Sequence, residues 1–290
     1  MMNDVLETDK KGTVNREISI INEIEQFLAI SIPQVKTVRT GIIGYKFSNN
    51  HVTGLVLNSL NCEGILERIF ALENLETLIL NDTEINEIPD SIKNMKKLSE
   101  LSFRQNFIQI IPKNLFELTN LRFLNLSNNR LRDFHVNEGQ LPLIRIIALE
   151  NNLIDCVTIE ENSCLILEAL YLNNNNLTKL NIENLINLRY LALQYNKLIE
   201  LPDLKKLNKL ISLELDFNGL TDIANIVDIL TNLETFSISY NRIEKIDFTN
   251  PSYRKIPHFF FNDNPLDKTS KKQLSHFTKT KSKPKNIFFS

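Results

Sequence analysis

Glycine is scarce in this chain, seven residues in 290, and tryptophan is absent. So little glycine leaves no phosphate-cradling loop. The one paired-glycine segment, Gly41-Ile-Ile-Gly44, lacks the Lys-Ser/Thr that a P-loop requires. Cysteine is limited to Cys62, Cys156 and Cys164. They form no CxxC pair, which argues against a zinc site or a redox couple, and an odd, unpatterned set fits a reducing compartment. The four histidines, His51, His135, His258 and His276, have no companion at metal or triad spacing. No serine sits in a GxSxG elbow. These absences leave no catalytic residue, no metal ligands and no cofactor site, so no enzyme is expected. No apolar run approaches the roughly 20 residues that span a bilayer. The polar N-terminus has no apolar core of a signal peptide. The expectation is a soluble, cytoplasmic protein.

What is present is a hydrophobic content of 42% and a net charge of only −2, which gives no overall bias towards nucleic acid or acidic lipid. The charge is unevenly placed. Residues 267–290 hold seven lysines against one aspartate, residues 1–50 balance to zero, and −8 remains for residues 51–266.

Along the chain, residues 1–14 are polar and expected to be frayed. Residues 15–51 form a cap. Ile18, Ile21, Ile24, Phe27 and Leu28 recur at steps of three to four, which predicts one amphipathic helix over 15–32, capped by Asn15 and ended by Pro33. The β-rich runs 41–47 and 52–57, around Ser48-Asn49-Asn50-His51, predict a hairpin.

From Val52 a unit iterates. It starts at Val52, Leu75, Leu98, Leu121, Ile144, Leu167, Leu188, Leu210, Leu233 and Ile256, with spacings of 21–23 residues. Within it, positions 1, 4, 6, 11 and 14 are apolar, and position 9 is asparagine in eight units: Asn106, Asn129, Asn152, Asn175, Asn196, Asn218, Asn241 and Asn264. Leu60 and Thr83 hold that position in the first two units, where an irregular turn is expected. A constant phase marks these asparagines as structural. A side-chain amide at the strand exit offers donors and an acceptor to backbone groups that the turn leaves unpaired. Positions 4 and 6 have the period of a strand with one buried face. Stacked units would share one core.

The pattern LxxLxLxxNxLxxL resembles the leucine-rich-repeat family over residues 52–266. Pro89, Pro112 and Pro202 at position 15 resemble its short, 21–23-residue intracellular type. The resemblance implies an α/β fold: a right-handed leucine-rich-repeat solenoid of ten repeats, with a curved parallel sheet on its concave side. It also implies an asparagine ladder within each repeat and the next. The helix and hairpin would cap one end. A short helix around 268–277, turning Leu274 and Phe277 inwards, would cap the other before a Lys-rich tail, 279–290.

Function is expected on the exposed face of the sheet, at positions 3, 5 and 7, with position 8 at its rim. Candidate partner-binding residues are Phe123, Ile146, Glu150, Tyr171, Tyr190, Gln194, Tyr195, Glu214, Asp216, Phe217, Tyr240 and Phe260. Exposed aromatic side chains on a rigid sheet suit recognition, and the acidic groups favour a basic or polar partner. The reading is a non-catalytic protein–protein interaction module or scaffold, monomeric alone, whose partner is another protein. Nucleic acid is not the expected ligand. The alternative is a platform for nucleic acid or an anionic surface through the basic C-terminal tail.

Overall fold

A computed structural model describes residues 16–223 and 226–277. The polar stretch 1–14, the Asn15 cap and the tail 279–290 lie outside the described residues. The chain divides into two compact bodies, Met1–Arg130 and Leu131–Ser290.

The first body opens with helix α1, Arg16–Leu28, which buries Ile20, Ile21 and Ile24. It is shorter than the expected 15–32, because Ala29 adopts a left-handed φ of 51° and breaks the helix. Its stripe is also rotated: Ile20 is buried where Phe27 was expected, and Phe27 is half exposed. Strands β1, Gly44–Ser48, and β2, His51–Val56, form an antiparallel hairpin. Asn49 and Asn50 take φ of 52° and 63° in its corner, the turn that matches strand twist. Glu17 of α1 accepts from Val52 N at 2.5 Å and so fixes the helix to β2. The outer edge of β1 is bridged by the segment before it, with Val35 N donating to Tyr45 O at 2.8 Å. Gly44 permits that approach, since a Cβ there would lie 2.8 Å from Pro33 O. After helix α2, Leu66–Phe70, come β3, Thr77–Ile79, β4, Glu100–Ser102, and β5, Phe123–Asn125. From β2 onward the pairing is parallel, and Leu55, Leu78, Leu101 and Leu124 lie side by side.

The second body holds β6, Asp133–Val136; β7, Ile146–Ala148; β8, Cys156–Ile159; β9, Ala169–Tyr171; β10, Lys179–Asn181; β11, Tyr190–Ala192; and β12, Ser212–Glu214. Helix α3, Ile226–Ile229, β13, Thr235–Ser237, β14, His258–Phe260, and helix α4, Lys268–Phe277, complete it. Strands β7, β9, β11, β12, β13 and β14 form a parallel array that aligns Ile147, Leu170, Leu191, Leu213, Phe236 and Phe259. All six are buried, each such side chain worth about 1.5–3 kcal/mol of transfer free energy.

A second, three-stranded parallel sheet, β6-β8-β10, forms on the return segments. The repeat pattern did not announce it. Position 15 permits it here, although the lack of proline is not sufficient, since Leu66 and Asp247 hold that position in repeats without such a strand. That position is His135, Thr158 and Asn181 in these repeats, but Pro89, Pro112 and Pro202 in others. Proline lacks the N–H that a ladder needs, and after Pro89 and Pro112 the chain forms 3₁₀ turns, Asp90–Asn94 and Lys113–Glu117.

At the end of the second body, Asp267 accepts from Ser270 N at 2.7 Å and caps α4. This holds the Asp267 carboxyl below its usual range. The helix turns Phe277 onto Phe248, ring centroids 5.6 Å apart, and beneath the Arg254 guanidinium at 4.8 Å. Leu274 is only half buried.

The asparagine rungs link each repeat to the one before it, rather than to the next. Asn106 Nδ2 donates to Phe103 O at 3.0 Å in its own repeat and to Leu80 O at 2.8 Å in the preceding one. Its Oδ1 accepts from Ile85 N at 3.0 Å. Asn129, Asn175, Asn196, Asn218, Asn241 and Asn264 repeat this set. Asn152 donates to Leu149 O and accepts from Leu131 N, both at 3.0 Å. Thr83 replaces part of a rung: its hydroxyl donates to Leu80 O at 3.0 Å. Leu60, at the same position in the first repeat, has no side-chain donor or acceptor, so that turn has no rung of its own.

Position 8, just before each rung, is left-handed in all ten repeats, with φ between 53° and 59°. Asn128, Asn151, Asn174, Asp82 and Asp263 suit that conformation. Tyr195, Phe217 and Tyr240 do not, because for such residues it costs roughly 1–2 kcal/mol. Their rings stack face to face, with centroids 4.3 Å and 4.1 Å apart and planes within 9°. Each of the two stacks returns about 0.5–1.5 kcal/mol, so stacking offsets only part of the strain carried by three residues.

Three outcomes follow from these balances. Asn129→Ala orphans buried backbone groups and should cost about 1–3 kcal/mol in urea unfolding. Phe217→Asn trades stacking against strain relief and should shift the same measurement by less than about 1 kcal/mol. Burial pushes the Cys62 and Cys164 thiols up to about 12, and only thiolates react. A disulfide reagent at about pH 8 should therefore label half-buried Cys156 alone in the folded protein, and all three cysteines in denaturant.

Candidate functional site

Side chains alternate along each strand, so positions 4 and 6 face the core while 3, 5 and 7 face outwards. In the first body this outward face carries Phe123, half-buried and paired in register with Glu100. The other eleven candidate residues lie in the second body. Its position-3 row includes Ile146 and Tyr190. Its position-5 row includes Tyr171, Glu214 and Phe260, and its position-7 row Glu150, Gln194 and Asp216. Tyr195, Phe217 and Tyr240 form the rim. Parallel register brings together residues of neighbouring repeats that are about 20 apart in sequence, such as Tyr171, Ala192 and Glu214.

The outward face also carries structural duty. Asp216 accepts from Ser237 Oγ at 2.5 Å and from Ser239 N at 2.6 Å on the next repeat. In the first body Asn81 does the same with Ser102 Oγ at 2.7 Å and Arg104 N at 2.9 Å. Asp216 is thus a bracket between strands at a position where asparagine suffices, and its carboxyl is raised by burial despite those bonds. Glu214 accepts from Ser212 Oγ at 3.1 Å and from Gln194 Nε2. Ser237 and Ser239, which the sequence reading passed over, are buried partners of this bracket. Small residues at position 5 beside acidic ones were the available signal.

Tyr190, Tyr195, Phe217 and Tyr240 are 39%, 50%, 38% and 47% exposed, high for large rings on one continuous surface. Tyr171 is half-buried. Its phenol is raised first by burial and then by the charges of Glu150, Tyr190 and Glu214. Tyr240 is raised by its hydrogen bond to Asp263. Positions 3, 5, 7 and 8 of the last six repeats carry Glu150, Glu214, Asp216 and Asp263 but no lysine or arginine. This region is rich in aromatic faces and hydrogen-bond acceptors. Among the described residues no group of three His, Cys, Asp or Glu side chains could hold a metal ion. No helix there is long and apolar enough to cross a membrane.

The leucine-rich-repeat family profile matches residues 73–131. No curated protein sequence matches significantly. Among solved structures, a leucine-rich-repeat protein of Leptospira interrogans is 22% identical with a TM-score of 0.63. The alignment covers 83% of this chain, which spans only 63% of that protein's length. A plant ice-binding protein is 19% identical with a TM-score of 0.64, over 87% of both chains. The plant peptide hormone receptor RGFR1, solved in complex with RGF2, is 22% identical with a TM-score of 0.55. That alignment covers 74% of this chain and 39% of the receptor. At these identities the likeness is one of fold. Leucine-rich repeats are generally protein–protein interaction modules without catalysis of their own. The profile match identifies residues 73–131 as leucine-rich repeats, and the ten iterated units with their asparagine bonds give the chain the leucine-rich-repeat fold.

Proposed function

We propose that this protein is a non-catalytic recognition module that binds another protein on the outward sheet face of its second body. The observation that carries this reading is the exposed column Tyr195–Phe217–Tyr240. Three large rings occupy backbone positions that disfavour them, and strain that stability does not require is characteristic of functional surfaces. Tyr171 and Tyr190 extend the same surface. Aromatic residues of this kind supply large contact area at modest entropy loss and concentrate binding energy. A plant receptor of the same fold was solved with the peptide hormone RGF2, which is compatible with a polypeptide partner here.

Affinity capture from the native cell extract tests the reading, comparing the wild type with Tyr190→Ala, Phe217→Ala and a Tyr171/Tyr190/Phe217 triple alanine variant. Each single variant should weaken partner retention at least about tenfold, as hot-spot truncation does, with circular dichroism unchanged. A partner retained equally by all three variants excludes this face. Salt titration separates the alternative of an anionic ligand on the Lys-rich segment. There, binding would collapse with salt and on deletion of 279–290.

A further inference from the structure

Ala192 sits at the centre of the outward face. In register it pairs with Tyr171 of β9 on one side and with Glu214 of β12 on the other. Tyr190 and Gln194 lie two residues before and after it on the same face. Adjacent strands are about 4.8 Å apart, and same-face neighbours along a strand about 6–7 Å. Two phenol rings, an amide and a carboxylate thus stand around the smallest side chain in the group.

The hydrogen bonds of this ring are incomplete in one direction. Gln194 Nε2 donates to Glu214, which fixes the amide with its oxygen as the remaining acceptor. That buried oxygen, Oε1, has no donor among the described residues. A buried acceptor left unpaired is costly and calls for a partner. The missing group is a donor. The Glu214 carboxylate beside the acceptor, with Glu150 nearby and no cation on the face, calls for a positive one. The Tyr171 and Tyr190 rings call for one that is planar. A guanidinium meets all three requirements, with five donors in a fixed fork, a permanent charge and a flat face that stacks on aromatic rings. Ammonium supplies charge and donors without the fork or the plane.

We propose that the ring of Tyr171, Tyr190, Gln194 and Glu214 around Ala192 receives an arginine side chain of the partner polypeptide. The proposal rests on the reading of this face as a recognition surface and specifies what that surface selects. The column Tyr195–Phe217–Tyr240 then contacts the chain flanking the arginine, since it borders the ring along position 8.

The test uses the full-length chain and a fluorescein-labelled nonapeptide of glycine, serine and leucine with one central arginine. Two twins carry lysine or citrulline in its place. Citrulline keeps the shape and plane of arginine but not its charge. Fluorescence anisotropy should show the arginine peptide binding at least about tenfold tighter than the citrulline peptide, with lysine weaker than arginine. Glu214→Gln and Ala192→Leu, the first removing charge and the second filling the floor, should each abolish that preference without changing circular dichroism. Equal affinity for the three peptides overturns the proposal. So does a preference that survives both variants, or the absence of saturable binding below about 1 mM. If deletion of 279–290 tightens the arginine peptide about tenfold, the chain's own lysines fill the ring and a separate partner is excluded. Failure here is distinguishable from failure of the broader reading. Peptides that do not discriminate, while Tyr190→Ala and Phe217→Ala still release the captured partner, refute only the arginine. A partner indifferent to those two variants refutes both.

Discussion

The bond that the rest of this structure depends on runs from an asparagine amide to backbone groups of two successive repeats. Each repeat leaves its strand through a left-handed residue at position 8. That turn leaves carbonyl and N–H groups directed into an apolar core, where no water can satisfy them. One amide at position 9 closes three of them at once: its own repeat's carbonyl, the preceding repeat's carbonyl and the preceding repeat's N–H at position 11. Thr83 shows how narrow the requirement is. Its hydroxyl reaches Leu80 O in its own repeat at 3.0 Å and Asn106 Oδ1 of the next at 3.1 Å, and Asn106 Oδ1 also accepts from Thr83 N at 3.1 Å.

Once the repeats are held in this register, every side chain outside the core is forced into a row. A row has consequences that no single residue has. Acidic residues in neighbouring rows repel unless something donates to them, and here serines and a glutamine do so. Aromatic residues at successive position 8 must stack, because strand spacing is close to the thickness of a ring. The two stacks in the column of Tyr195, Phe217 and Tyr240 recover only part of the backbone strain of its three residues. Stability alone therefore does not account for three rings where asparagine serves in the three preceding repeats.

Much of the architecture could be read from the chain. The apolar phase located every core strand, and position 9 located the rungs, because these roles recur at the same offset and each residue type has one physical reason to be there. Helix α4 fell where Leu274 and Phe277 placed it, although only Phe277 is deeply buried. Elements that occur once were harder. Helix α1 stopped at Leu28, and its buried face rotated to include Ile20 rather than Phe27. Which side of a short helix is covered depends on what it packs against, here β2 through Glu17. The β6-β8-β10 sheet was not legible, since lack of proline at position 15 also holds in repeats without it. A strand of three or four residues inside one repeat is too weak a signal to stand without its neighbours.

The sequence by itself determined the repeat, its core and its ladder, since burial and backbone satisfaction act within one unit and the next, and leave a periodic mark. It also singled out the outward positions as the candidates for recognition. The tertiary structure decided which of those outward residues are occupied and which are available. Asp216 and Asn81 carry different charges yet make the same bracket. Tyr171, Ala192 and Glu214 become neighbours only because parallel register sets them side by side across spacings of 21 and 22 residues. That adjacency is a property of three dimensions: strand pairing brings one phenol and a carboxylate across to an alanine that already has Tyr190 and Gln194 two residues to either side.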